Sequence, residues 1–155
     1  MEHLNYKLFL RYTSSTMKKL ITLAAVLALA ALFTSCKTLK EIPGDKTSAQ
    51  IIQMGQNYVS NSDYKSAELC YNTVIDRFGT DPSIYVEAKY ELGRVYLAQH
   101  KYEKAYNIFT ELLDLYDSYG TMLPGSYKKL CNISISQIPE LRLQEIQAKN
   151  GTVSE

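Results

Sequence analysis

The side chains of this 155-residue chain best suited to covalent or metal chemistry are three cysteines and two histidines. Cys36, Cys70 and Cys131 form no CxxC pair and do not cluster with histidine at zinc-ligand spacing. His3 lies near the N-terminus, and His100 falls at a predicted break between two helices, where it reads as a solvated turn residue. The chain has no Ser/His/Asp arrangement, no glycine loop to cradle phosphate and no HExxH. Asp114 and Asp117 read as part of a solvated helix face rather than as paired general acids. These observations argue against an enzyme and against a metal or cofactor site. One thiol stands apart by its setting: Cys36 follows an apolar run and the small residues Thr34 and Ser35. There its thiol is a candidate nucleophile.

Residues 17–36 read MKKLITLAAVLALAALFTSC. Lys18 and Lys19 form a short basic region, and Leu20 to Phe33 is an apolar run interrupted by one Thr. That length suits the apolar stretch of a signal peptide and falls short of a bilayer span. The sequence Leu32-Phe33-Thr34-Ser35-Cys36 resembles the lipobox of bacterial lipoproteins, with Phe33 where Leu is usual. The resemblance implies that residues 17–35 are a signal peptide, that Cys36 carries the lipid, and that this lipid is the only non-protein group. Two or more acyl chains anchor stably where one holds marginally. Residues 1–16 precede the better start at Met17-Lys18-Lys19 and read as an upstream misassigned start. Residues 36–46 are polar with one Pro-Gly and read as a lipidated tether. Lys37, where Asp would favour inner-membrane retention, points to the outer membrane, with the periplasmic face preferred.

The elements that would carry a function are repeated. The shift that brings Gly55 onto Gly93 also aligns Tyr58 with Tyr96, Tyr64 with Tyr102, Ala67 with Ala105 and Tyr71 with Phe109. Each copy has the apolar periodicity of helix, short turn, helix. Asp81-Pro82 supplies a cap and a first-turn proline for the second copy. These residues resemble the tetratricopeptide repeat, which has Tyr three after a Gly, Ala twelve after it and an aromatic four beyond that. The spacing has a physical reason: small side chains stand where antiparallel helices cross, and aromatic rings fill the space beside them. The repeat here is longer than the usual period by four residues, which are expected in the turn Gly79–Ser83. Beyond the second copy the motif fails, with Cys131 at the Gly position. Residues 126–137 still form a helical pattern with Tyr127, Leu130 and Ile133 on one side, and residues 139–149 form another with Leu141, Leu143 and Ile146. The expected fold is all-α: antiparallel helix-turn-helix repeats in a short α-solenoid, two repeats plus a divergent C-terminal helical pair that caps the stack. The domain is expected over residues 47–150, with 151–155 a disordered tail. Cys70 and Cys131 fall in predicted helices and read as small buried hydrophobes, although an exported chain permits a disulfide.

In the tetratricopeptide family the first helix of each repeat lines a concave groove. Carried over, the groove residues are Ala49, Ile52, Gln56, Val59 and Ser60 in the first copy, and Glu87, Tyr90, Arg94, Leu97 and Ala98 in the second. Tyr90 and Arg94 lie one helical turn apart, the residue types of an interface hot spot. Arg94 is placed to meet a partner carboxylate, or else to pair with Glu91 or Glu87. From Cys36 onward 13 Lys and Arg face 15 Asp and Glu, a net of −2, which gives no footprint for nucleic acid. The expected partners are a protein or peptide segment of the cell envelope and the bilayer itself, with a homo-oligomer as the structural alternative. The longer repeat also resembles envelope lipoproteins of the β-barrel-assembly and cell-division-coordinator families. The former carry about five repeats, against two and a cap here.

Overall fold

In the computed structural model the described residues are 39–151, with Lys19 alone ahead of them. Cys36, residues 1–16, the apolar run and residues 152–155 lie outside the described residues. Six α-helices follow one another: α1 Ser48–Ser60, α2 Tyr64–Phe78, α3 Pro82–Ala98, α4 Tyr102–Tyr119, α5 Ser126–Ser136 and α6 Glu140–Gly151. A 3-10 turn at Gly120–Met122 joins α4 to the α5 loop. No helix among the described residues is long and apolar enough to cross a membrane.

Local chemistry sets the helix starts. Thr47 and Gln50 close a capping box at α1. Asp63 accepts from the Ser66 amide at α2, and Asp81 accepts from Ser83 and Ile84 at α3, where Pro82 opens the first turn. The helix ends repeat as well. Ser62 and His100, at equivalent places in the two copies, both take the left-handed conformation, at φ 58 and 59. In both turns the next amide reaches back to a tyrosine carbonyl, Asp63 to Tyr58 and Lys101 to Tyr96, each at 2.9 Å. The left-handed residue itself bonds the following carbonyl, Ser62 to Val59 and His100 to Leu97. This double closure satisfies the carbonyls left open at a helix C-terminus.

The packing carries the same period. The ring of Tyr71 lies over Gly55, and the ring of Phe109 lies over Gly93. A Cβ on Gly55 would sit 2.7 Å from two Tyr71 ring carbons, and one on Gly93 would sit 2.6 Å from Phe109. Tyr71, Phe109, Ala67 and Ala105 are all fully buried. Consecutive helices pack against each other from α1 to α5, while α1 also touches α3 and α3 touches α5. Cys70 and Cys131 are buried free thiols.

Three expectations change. The extra residues are not in the turn: only 79–81 separate α2 from α3, and Pro82 and Ser83 are already helical. The added length is wound into the start of α3, which begins eleven residues before Gly93, where α1 begins seven before Gly55. The C-terminal helices do not form a hairpin. α6 packs on α4, held by Lys149–Glu103 at 2.6 Å and an Asn150–Asn107 hydrogen bond. Its one buried residue is Ile146, and Leu141 is 76% exposed. Finally, residues 39–43, expected within a free tether, are docked along α2. Ile42 is buried, and the Leu39 amide donates to Ser66 Oγ at 2.9 Å. The Arg77 guanidinium donates to the carbonyls of Ile42 and Pro43 at 2.8 and 2.9 Å. This strap runs parallel to α2 and turns at Pro43-Gly44 into α1.

Gly93→Ala is expected to destabilise by about 1–3 kcal/mol through overpacking. That exceeds the helix-propensity advantage of Ala, about 1 kcal/mol. Thermal unfolding followed by circular dichroism measures it, and an unchanged or raised midpoint contradicts the close-approach account. Arg77→Ala is expected to leave the unfolding midpoint nearly unchanged but to open residues 39–43 to limited proteolysis.

Candidate functional site

A concavity bearing predicted groove residues lies between α3 and α5. It measures about 750 Å³ and includes Tyr90, Arg94 and Leu97 from α3, and Tyr127, Leu130 and Ile133 from α5. His100 of the turn and Tyr102, the first residue of α4, also line it, and the His100 Nδ1 and Tyr102 hydroxyl stand 2.8 Å apart.

Tyr90 forms the floor. It is 8% exposed, with ring centroids 5.9 Å from Phe109 and 5.4 Å from Tyr127. Its hydroxyl lies 3.3 Å from Ser134 Oγ, a buried polar pair with either oxygen as donor. Arg94, one turn on, is half exposed and pairs with Glu91 at 3.1 Å. The guanidinium is thus already engaged by its own helix. Leu97 is half-buried beside it, and Ala98 is exposed at the rim.

The other predicted groove residues are distributed differently. Ile52 is buried, Gln56 and Val59 are half-buried on α1, and none of the three lines this cavity. Ala49 and Ser60 are exposed. Glu87 is half-buried on α3, outside the cavity lining. Burial, and then the neighbouring Glu91, push its carboxyl above the usual carboxylate range. The same two carboxylates, after burial itself, push the Tyr127 phenol up to about 12.

Sequence reasoning placed the groove on α1 and α3 and missed the wall supplied by α5. Tyr127, Leu130 and Ser134 stand at i, i+3 and i+7, so the signal was present as periodicity once the repeat motif had failed. Tyr127, Leu130 and Ile133 do share one side, but that side faces the groove, and Ile133 is 45% exposed. A second concavity, about 530 Å³ and almost wholly apolar, lies on another face between the start of α3 and the end of α4. Tyr119 and Met122 stand exposed at its edge.

Among the described residues no group of His, Cys, Asp and Glu is placed to hold a metal ion. Burial pushes the Cys131 thiol up to about 11; burial and then Asp63 do the same for Cys70. A thiol reacts as thiolate, so at pH 8 the reactive fraction of each is about one in a thousand. In the Cys36→Ala chain, an alkylating reagent at that pH is expected to label neither cysteine in the folded protein and both after denaturation. Raised thiol pKa values favour the fold until the unfolded thiols ionise. Stability is therefore expected to fall as pH rises through the window from about 9 to about 11.

No family model matches the sequence, and no solved structure matches it. Among curated proteins, an uncharacterized protein of Treponema pallidum (strain Nichols) is 30% identical over 129 residues, covering 81% of this chain and 52% of the relative. The chain therefore spans about half the length of the curated relative it matches.

Proposed function

We propose that the protein is a membrane-anchored adaptor of the bacterial envelope: a lipoprotein held at Cys36 whose helical module captures a segment of another protein. The helical hairpins are read as tetratricopeptide-type repeats. The recurrence, at one fixed period, of the ring-over-glycine contact and of the left-handed turn supports that reading. The observation that carries the function is the cavity of about 750 Å³ between α3 and α5, which combines an aromatic floor, an aliphatic wall and a charged rim. That composition suits a peptide segment, with apolar anchors at the centre and polar groups around them. The lipid at Cys36, on the periplasmic face of the outer membrane, rests on the lipobox resemblance. A small groove suits one short segment, or a role as minor subunit of a larger complex.

The second reading, a self-associating envelope component, is favoured by one observation. Tyr119 and Met122 are 57% and 80% exposed beside the apolar concavity of about 530 Å³.

The test uses tagged full-length protein solubilised in detergent. Wild type is expected in the membrane fraction and Cys36→Ala in the soluble one. Leu97→Ser with Ile133→Ser is expected to keep the membrane location and the helical spectrum while losing a captured polypeptide at least tenfold. Equal capture by that variant overturns the groove. A defined homo-oligomer with no second polypeptide favours the structural reading.

A further inference from the structure

The polar side chains lining the groove between α3 and α5 are largely spent on one another. The Tyr90 hydroxyl and Ser134 Oγ stand 3.3 Å apart. Arg94 Nη1 donates to both Glu91 carboxylate oxygens, at 3.3 and 3.1 Å, and His100 Nδ1 lies 2.8 Å from the Tyr102 hydroxyl. Of the lining's polar side chains, only the Tyr127 hydroxyl and Gln137 make no hydrogen bond among the described residues. The charges close in the same way. One carboxylate faces one guanidinium, and no other Asp, Glu, Lys or Arg lines the groove. The remaining N–H groups of Arg94 belong to a side chain 52% exposed, where water serves them.

Both walls are α-helix, whose main-chain amides and carbonyls bond within the helix. The groove therefore has little to offer the main chain of a bound segment. An extended peptide brings an unbonded N–H and C=O at every residue. Its usual host is a sheet edge, which supplies a ladder of partners, and neither wall has one. A helix arrives with its main chain already satisfied and needs an apolar surface. Dimensions favour it as well. From Tyr90 to Ala98 the α3 wall runs eight residues, about 12 Å. Over that length an extended chain places about four residues, about two of them facing in. A helix places about two turns, with three or four residues of one stripe facing in. The receiving surface is present: Leu97 and Leu130 are half-buried and Ile133 is 45% exposed, with the rings of Tyr90 and Tyr127 in the same lining.

On the groove reading above, we infer that the captured segment is an amphipathic α-helix. It lays an uncharged aliphatic stripe, at i, i+3, i+4 and i+7, onto Leu97, Leu130 and Ile133. Its polar face stays in water. The neutral Glu91–Arg94 pair matches a stripe without formal charge, and the Tyr127 hydroxyl and Gln137 meet polar groups on the flanks of the helix.

A phage library of random peptides, each about 16 residues or roughly four helical turns, selected against the full chain in detergent, tests this. The expected outcome is enrichment of peptides whose apolar residues recur every three to four positions. A proline placed within the stripe, which breaks a helix, is expected to weaken a selected peptide at least tenfold. Leu97→Ser with Ile133→Ser is expected to do the same, as is Ile133→Asp alone, a change at an exposed position that leaves the helical spectrum intact. Groove-dependent peptides that tolerate the proline, or whose apolar residues alternate, overturn the helix and leave the groove standing. A charged residue enriched within the stripe overturns the uncharged face. Selection of no peptide that these variants weaken overturns both readings.

Discussion

At Gly55, and again at Gly93, an aromatic ring from the next helix occupies the place where a methyl group would have to go. This close approach sets the separation of α1 from α2 and of α3 from α4. Every neighbouring contact then follows. Ala67 and Ala105 fit only because the helices are that near, and the left-handed closures at Ser62 and His100 bring the chain back at the matching distance. α3 can then touch both α1 and α5, which brings these three helices together along one face. The groove is a product of that alignment rather than of any residue within it.

Within this frame the two copies have diverged in chemistry while keeping their shape. The ring at 71 carries an oxygen and the ring at 109 does not. Glu87 is held half-buried next to Glu91, where burial first and then that neighbour disfavour its charge. Neither feature helps the chain fold. Departures from the most stable choice gather at functional surfaces more often than elsewhere, and Glu87 stands on α3, the helix that also supplies Tyr90.

Much of the architecture was legible in the residues because it depends on short-range chemistry. Thr47, Asp63 and Asp81 cap helices for reasons visible within three positions. The recurrence of Gly, Ala and aromatic residues reports a helix crossing directly. The parts that were not legible depend on contacts between distant segments. Nothing local in Lys37–Lys46 announces that Arg77, near the far end of α2, clamps the carbonyls of Ile42 and Pro43. Nor does the pattern of α6 reveal that it seats on α4, since Leu141, Leu143 and Ile146 suggest an apolar stripe that the structure uses only in part. In the groove, Tyr90, Arg94 and Leu97 were reached by analogy to the repeat. The α5 wall was not, because the motif had already faded there.

The docked strap has a consequence for reach. From Cys36 to Leu39 a polypeptide spans at most about 10 Å even when fully extended. With Cys36 acylated as proposed, the domain is on a short leash rather than a floppy one. A free tether through Lys46 would let the module sweep a broad hemisphere and dilute itself over it. The strap narrows that volume, raising the effective concentration of the groove for anything lying close to the same bilayer and lowering it for anything deeper in the surrounding space. On the proposed anchor and groove, Arg77 would then help set which partners are near enough to be captured.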